Sequence, residues 1–551
     1  MEKRIKQYLL AILPALLLGC YQSKTADLIL HNGTIYSCDK DFNTYPAMAI
    51  KDGKILELGA EREILNGYSC DNIIDLEKKP VYPGFHDGHC HFLGYAQTKN
   101  QVDLVGAASF EEVLDRITSF QNERNTNYIT GRGWDQTLWE NSEFPNNSEL
   151  DELFPDIPVL IRRVDGHAAL ANSKALEIAG ITPETIIEGG YIEVINGELT
   201  GILLDNAFDT VSAAMPSMPL SEKEELLQLA QKDFYEVGLT SLNDAGLNPE
   251  DRKMFVELYE NASLEIRNYA MLFPDEENLD WAMENGIFKT GNLHIRSFKI
   301  LADGALGSRG ACLIEPYSDD TANSGFLLQE AKEIKEICEL ALELEYQVNT
   351  HCIGDKANRV LLEIYAEVLE GVSDHRWKIE HAQVINEADF DYFLNYGIVP
   401  SVQPTHCTSD MRWAEDRLGK DRIKGAYAYK TLLEKYGKIV LGTDFPVEHI
   451  NPIYTFYAAV FRKDHEGNPK EGFYSSEVLT RQEALLGMTI WPAFSNFEHH
   501  EKGSLEPGKY ADFVILSQDI MEVSEEEVLN SFVVQTYLEG NLKYDAYELV
   551  P

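Results

Sequence analysis

The sequence predicts an α/β protein: a (β/α)8 barrel of the TIM type, with a small β-sandwich built from both ends of the chain and a subdomain inserted after the first barrel strand. Three observations carry this. Eight short apolar or β-branched segments recur along the middle of the 551-residue chain, most of them followed by a stretch with helical spacing. Both ends of the chain read instead as short strands and tight turns. The interval between the first and second of the eight segments, roughly residues 94–238, is far too long for a bare loop in a compact domain.

The opening residues precede the fold. Lys3, Arg4 and Lys6 make a positive start, residues 8–18 form an apolar run too short for a comfortable bilayer span, and the run ends in Leu17-Leu18-Gly19-Cys20. That is the layout of a secretory signal, here residues 1–19. Its ending resembles the lipobox of bacterial lipoproteins. The resemblance implies cleavage before Cys20, lipidation of that cysteine, and an exported protein anchored to a membrane. Tyr21 is not the aspartate of an inner-membrane retention signal, so the outer membrane is favoured where one exists.

Residues 26–79 alternate apolar runs with the turn dipeptides Asn32-Gly33 and Asp52-Gly53, which are hairpin signals. Residues 503–516 have the same texture, and further strands are expected at 533–538 and 542–544. The expectation is one β-sandwich domain made of residues 26–79 and 500–551. Between them the barrel strands are expected at 80–85, 240–244, 266–272, 295–301, 346–350, 377–380, 397–402 and 438–442, within a barrel of residues 80–94 and 238–499. Residues 331–344 illustrate the intervening helices, with Ile334, Ile337, Cys338, Ala341 and Leu342 on one face. Eight strands alternating with helices imply a closed barrel. Residues 95–237, with a Trp-rich stretch from Gly131 to Trp139, form the insertion over the barrel mouth.

Composition narrows the function. Apolar residues make up 44% and charged residues 25%, which suits a protein with a real core. A net charge of −44 repels phosphate backbones and argues against a nucleic-acid partner. Eight cysteines are scattered with no CxxC pair; setting Cys20 aside, the rest read as mostly buried thiols rather than a disulfide framework.

The chemistry lies at the strand ends. His89-Cys90-His91 closes the first segment, and in an extended strand residues two apart share a face, so both imidazoles can reach one ion. His351, His381 and Asp444 end the fifth, sixth and eighth segments. Strand C-termini in such barrels face one rim, so these residues converge there. Four imidazoles and a carboxylate suit zinc or a similar divalent ion. Glu380, next to His381, is expected to point to the opposite face and to serve as scaffold.

The run Pro83-Gly84-Phe85-His86-Asp87-Gly88-His89-Cys90-His91 resembles the first-strand motif of the amidohydrolase superfamily. Gly133-Trp134-Asp135, the stretch from Asp165 to Leu176 and the stretch from Phe298 to Arg309 narrow the likeness to the YtcJ-like branch, amidohydrolase family 3, related to N-substituted formamide deformylases. The likeness covers nearly all of the chain beyond the signal. It implies that His89 and His91 bind the more buried ion, that His351 and His381 hold a second, and that Lys299 carries a bridging carbamate in two-metal members. Asp444 would ligate metal and serve as general base.

The implied activity is hydrolysis of a C–N bond in an N-acyl, N-formyl or other small-molecule amide. A one-metal deaminase-like hydrolase and a non-catalytic metal-containing binding lipoprotein are the alternatives, and metal stoichiometry and turnover separate them. For Lys299 a salt bridge with Asp303 is the alternative to a carbamate. Arg309 is read either as a clamp for a substrate carboxylate or as a loop hydrogen-bonder. Trp134 and His167, in the insertion, are read as substrate-facing or as packing, and His406 as lining the pocket. The sequence leaves substrate and oligomeric state open.

Overall fold

The computed structural model describes residues 24–216 and 218–547; the signal and Cys20 lie outside the described residues. Eight parallel strands follow one another around the barrel: β1 (Phe85–Cys90), β2 (Leu239–Leu247), β3 (Arg267–Leu272), β4 (Leu293–Leu301), β5 (Gln347–His351), β6 (Lys378–Glu380), β7 (Val399–Val402) and β8 (Val440–Leu441). The last returns to the first through backbone contact: Asp444 N donates to His89 O at 2.8 Å and His91 N to Phe445 O at 2.9 Å. Two glycines permit that approach. A Cβ on Gly88 would stand 2.3 Å from Val440, and one on Gly442 would stand 2.4 Å from His89 N, so only hydrogen fits at either seam position.

The first strand lies further along the chain than its apolar segment predicts. Pro80–Pro83 belongs to a different sheet, pairing with Phe513–Leu516 and Thr34–Tyr36. The barrel strand is the polar run Phe-His-Asp-Gly-His-Cys, fully buried. Its polar side chains meet partners inside the barrel, so hydropathy passes over it. The other seven strands overlap their expected segments.

Two sheets flank one apolar core at the chain ends. One has the strand order Lys54–Gly59, Ala47–Lys51, Leu28–His31, Ile73–Asp75; the other runs Asn541–Asp545, Val533–Leu538, Phe513–Leu516, Pro80–Pro83, Thr34–Tyr36, Thr44–Tyr45. Leu28, Leu30, Met48 and Ile50 from the first sheet pack with Phe513, Ile515 and Tyr537 from the second. This is a β-sandwich drawn from both ends.

Between β1 and β2 a six-stranded mixed sheet forms, in the order Val102–Asp103, Ile129–Trp134, Val159–Arg163, Ala168–Ala171, Glu198–Asp205, Gly190–Ile195. The helix Phe110–Arg124 covers one face of it, N-capped by Ser109, and buries Val113, Leu114 and Ile117 against Ile129, Ile161 and Leu170. The other face carries Arg132, Arg162 and Ala169 in register across three adjacent strands. All seven cysteines of the described residues are free thiols, six of them buried.

Candidate metal centre

The rim at the strand C-termini gathers the predicted residues around Asp444. Its Oδ1 lies 3.1 Å from His91 Nε2 and 3.6 Å from His89 Nε2. Its Oδ2 lies 3.7 Å from His406 Nε2 and 4.0 Å from His381 Nδ1. The His381 ring is 4.8 Å from that of His89 and 4.6 Å from that of His351, centroid to centroid. The ligand atoms fall into two overlapping sets that share the carboxylate, His89–His91–Asp444 and His381–His406–Asp444. His406 thus joins the cluster itself rather than only lining a pocket.

Local backbone explains how these side chains reach one point. His381 and Asp444 both take left-handed conformations, with φ of 70° and 61°, which non-glycine residues adopt at some cost and which concentrate at functional sites. His381 directly follows the last residue of β6, and Asp444 lies three residues past the end of β8.

Second partners fix the rings. His89 Nδ1 bonds Glu380 Oε2 at 2.7 Å, both groups being wholly buried. His381 Nδ1 bonds Gln403 Oε1 at 2.7 Å. A proton on Nδ1, donated to these oxygens, leaves the Nε2 lone pair free as a ligand. Glu380 corrects the sequence reading, which aimed it away from the site. Alternation between faces holds only for extended residues, and the left-handed His381 breaks it. Burial pushes the Glu380 carboxyl up, but the charges of His89 and Lys378 outweigh this and hold it at about 2.

Electrostatics favours neutral imidazoles beside an ionised carboxylate. Burial pushes His351 and His381 well below the ordinary imidazole range and His91 down to about 4. Burial also works against the Asp444 carboxylate, but His91, His89 and His381 around it hold it well below its usual range. Asp444 Oδ1 and the Nε2 atoms of His351 and His406 are buried and make no hydrogen bond among the described residues. Unpartnered buried lone pairs are costly, and divalent metal at this rim would satisfy those of Asp444 and His406, which share one candidate set; His351 lies outside both sets, its Nε2 3.7 Å from Asp303 Oδ1. The donor set, imidazole nitrogen plus carboxylate oxygen, fits zinc or a similar ion.

Lys299, on β4, is 1% exposed, and its Nζ stands 3.2 Å from His89 Nε2. Burial lowers the ammonium's range, against the pull of Glu380 and Asp444. It does not pair with Asp303. That carboxylate accepts three backbone N–H groups, from Cys312, Ile353 and Gly354, at 2.8–2.9 Å, which leaves the lysine facing the histidines.

The remaining sequence candidates divide. His167 comes from the insertion and reaches the site, its ring 5.1 Å from that of His351 and its Nδ1 2.7 Å from Asp205 Oδ1. Burial lowers its basicity, but the adjacent Asp205 overrides this and raises it. Trp134 takes no part: it is 1% exposed in the core of the insertion, its Nε1 donating to Ile161 O at 3.0 Å. Arg309 is committed elsewhere, paired with the Asp319 carboxylate at 3.1 Å rather than with the loop backbone. Sequence reasoning missed Gln403 and the arginines Arg132 and Arg162. No motif marks those arginines; only their shared register on the insertion sheet brings them together.

Comparison with known proteins gives this rim its context. The model of the amidohydrolase family matches residues 72–544. The chain belongs to the amidohydrolase family. It is 34% identical to the Arabidopsis thaliana protein LONG AFTER FAR-RED 3, over 94% of this chain and 92% of that one. It is 30% identical to the amidohydrolase-class protein YtcJ of Bacillus subtilis, over 94% and 99% of the two chains. With the N-substituted formamide deformylase of Arthrobacter pascens it shares 26% identity, over 94% and 98%. Among solved structures, an uncharacterized metal-dependent hydrolase from Pyrococcus horikoshii superposes with a TM-score of 0.75 at 30% identity, covering 90% of this chain and 99% of that one. This amidohydrolase therefore sits in the YtcJ-like branch, and its structural neighbours are metal-dependent hydrolases on TIM-type barrels.

Proposed function

We propose that this amidohydrolase hydrolyses a C–N bond in an N-acyl, N-formyl or related amide, with divalent metal, in the first instance zinc, held by His89, His91, Lys299, His351, His381 and Asp444. The observation that carries the reading is the gathering of His89, His91 and His381 around the Asp444 carboxylate, with Lys299 against His89 and His351 against His381, from the ends of five barrel strands. The name of the formamide deformylase relative supports the choice of bond.

Metal bound there would lower the pKa of a water toward neutrality and polarise the scissile carbonyl. Asp444, kept ionised, is the group able to take the proton from that water and return it to the leaving nitrogen. Glu380 and Gln403 hold His89 and His381 in the ligating tautomer. Lys299, whose burial disfavours the ammonium, is suited to add CO2: the free amine's lone pair forms the N–C bond, one proton leaves, and an anionic carbamate results. That anion is what a bridge between two cations requires, because a lysine ammonium would repel them. His406 stands beside the second set and gives it an imidazole whether or not two ions bind. The chain's opening supports an exported lipoprotein anchored through Cys20.

The test is a screen of the zinc-supplemented, purified protein against N-formylated and N-acylated amines, with metal content measured on the same sample. Turnover that disappears on chelation and in Asp444→Asn supports the reading. Full activity in Asp444→Asn overturns the assignment of the base. A metal-loaded protein that turns over no amide, ester or amidine overturns the hydrolase reading and leaves the binding-protein alternative.

A further inference from the structure

Arg132 and Arg162 stand directly opposite each other on adjacent parallel strands of the insertion sheet, on the face opposite the helix Phe110–Arg124. Like charges in that position repel. Their guanidinium groups crowd a single point: a Cβ built on Gly166 would lie 3.5 Å from Arg132 Nη1, 3.6 Å from Arg132 Nη2 and 3.7 Å from Arg162 Cζ. Gly166, with φ of 79°, leaves that space open.

Neither group forms an ion pair within 4.0 Å among the described residues. The neighbouring Arg163 shows what the chain does with a purely structural arginine: it is clasped by Asp135 at 2.5 Å and Asp165 at 2.7 Å. Nor are carboxylates scarce, with 91 acidic side chains against 47 basic ones. Of the acids within electrostatic reach of Arg162, Asp165 is engaged with Arg163 and Asp205 with His167. Asp209 lies within the same reach and makes no ion pair among the described residues.

Both arginines are held in place by contacts that leave charge-bearing N–H groups free. Arg132 donates Nε to Pro446 O at 3.3 Å and Nη2 to Val164 O at 3.0 Å. Arg162 donates Nε to Gly166 O at 2.6 Å and lies over the Phe208 ring at 4.4 Å. Those anchors tie the pair to the metal rim. Pro446 follows Asp444 by two residues, and Gly166 precedes His167, whose ring meets His351. Arg162 Nη1 and Nη2 make no hydrogen bond within the described residues.

We propose that Arg132 and Arg162 form a clamp for a carboxylate on the substrate, so that the preferred substrates are amides carrying a free carboxylate near the scissile bond. Two oxygens of one carboxylate match two adjacent guanidinium forks, and the anion removes the repulsion the empty pair sustains. The role the sequence offered to Arg309 thus passes to the insertion. The inference rests on the hydrolase reading for its chemistry, and on the arginine pair alone for its charge preference.

The experiment uses the full zinc-loaded chain and a panel of N-formyl and N-acetyl amino acids, α and ω, each beside its carboxamide. The expected result is a kcat/KM for the best acid about 100-fold above that of its amide, the scale of one charge-assisted pair of hydrogen bonds. Arg162→Gln, which removes the less anchored partner, should cut that acid-to-amide ratio by most of its value, and Arg162→Lys should restore part of it. Calorimetric binding of the same acids, read without turnover, separates the two ideas. Acids that bind native protein and not Arg162→Gln, with no compound hydrolysed, keep the clamp and sink the hydrolase reading. Acids and amides hydrolysed equally well keep the hydrolase and sink the clamp. So does a folded Arg162→Gln with native acid preference, or a native protein that binds none of the acids.

Discussion

Replacing Glu380 by Gln tests the metal centre at a residue outside the proposed ligand set. The substitution preserves volume, so no cavity term enters. It removes one charge from a bond of 2.7 Å between groups that are both 0% exposed. Glutamine can still accept from His89 Nδ1, but as a neutral and weaker partner, and it no longer enhances the basicity of Nε2. Losing such a supporting carboxylate typically costs about 10–100-fold in metal affinity, roughly 1.4–2.7 kcal/mol. Although burial opposes it, His89 and Lys378 hold the Glu380 carboxyl at about 2, so the charge removed is one present in the native site. A second effect must be measured apart from the first. Lys378 Nζ lies 3.9 Å from Glu380 Oε1 and is itself wholly buried, so the metal-free variant should also unfold more easily. The assay is zinc affinity by chelator competition, with thermal unfolding of the metal-free protein as control. Weakened zinc binding beyond what lowered metal-free stability accounts for is the expected result. A native zinc affinity in Glu380→Gln, in a protein that has lost activity, would show that His89 is not a ligand.

Three further outcomes are expected. Lys299→Ala should lose at least one equivalent of metal and most activity, with partial rescue by short carboxylic acids able to fill the bridging position; native metal content, read by elemental analysis, would refute the carbamate. Asp244 is buried, and burial raises its carboxyl to about 7. Its folded value therefore exceeds the unfolded one of about 3.9, the native state holds the proton longer, and stability is lost as pH rises from about 4 through 7. Asp244→Asn should remove that loss, gaining about 2–3 kcal/mol more at pH 8 than at pH 5 in denaturant titrations; an equal effect at both pH values would sink the argument. Cys20→Ala should release the protein from membranes in fractionation, and unchanged attachment would remove the lipid-anchor proposal.

What the sequence made legible follows a physical boundary inside the barrel. Seven strands are visible through their apolar or β-branched residues, such as Ile295, Phe298 and Ile300 in 295–301 and Tyr346 and Val348 in 346–350. At the rim the same strands turn polar, and hydropathy stops reporting. The strand Phe85–Cys90 is polar along most of its length, so its start was placed too early, on Pro80–Pro83 of the neighbouring sheet. His89, His91, His351, His381 and Asp444 stood out because residue type at a strand end is a sequence property. What they contact is not. Glu380 points inward beside Lys378, two residues before it, and the left-handed His381 brings its own ring to the same side; no alternation rule contains that torsion. Arg309 and Arg162 look alike in sequence. One is satisfied by Asp319 ten residues away, and the other faces Arg132 and makes no ion pair among the described residues. That difference is a matter of pairing across strands some thirty residues apart. An unpaired charge costs stability, and a chain so rich in carboxylates had ready means to avoid it at Arg132 and Arg162. A carboxylate from outside the chain would offset that cost by completing the pair, and on that ground the proposal puts the substrate's charge at these two arginines rather than at the better-marked Arg309.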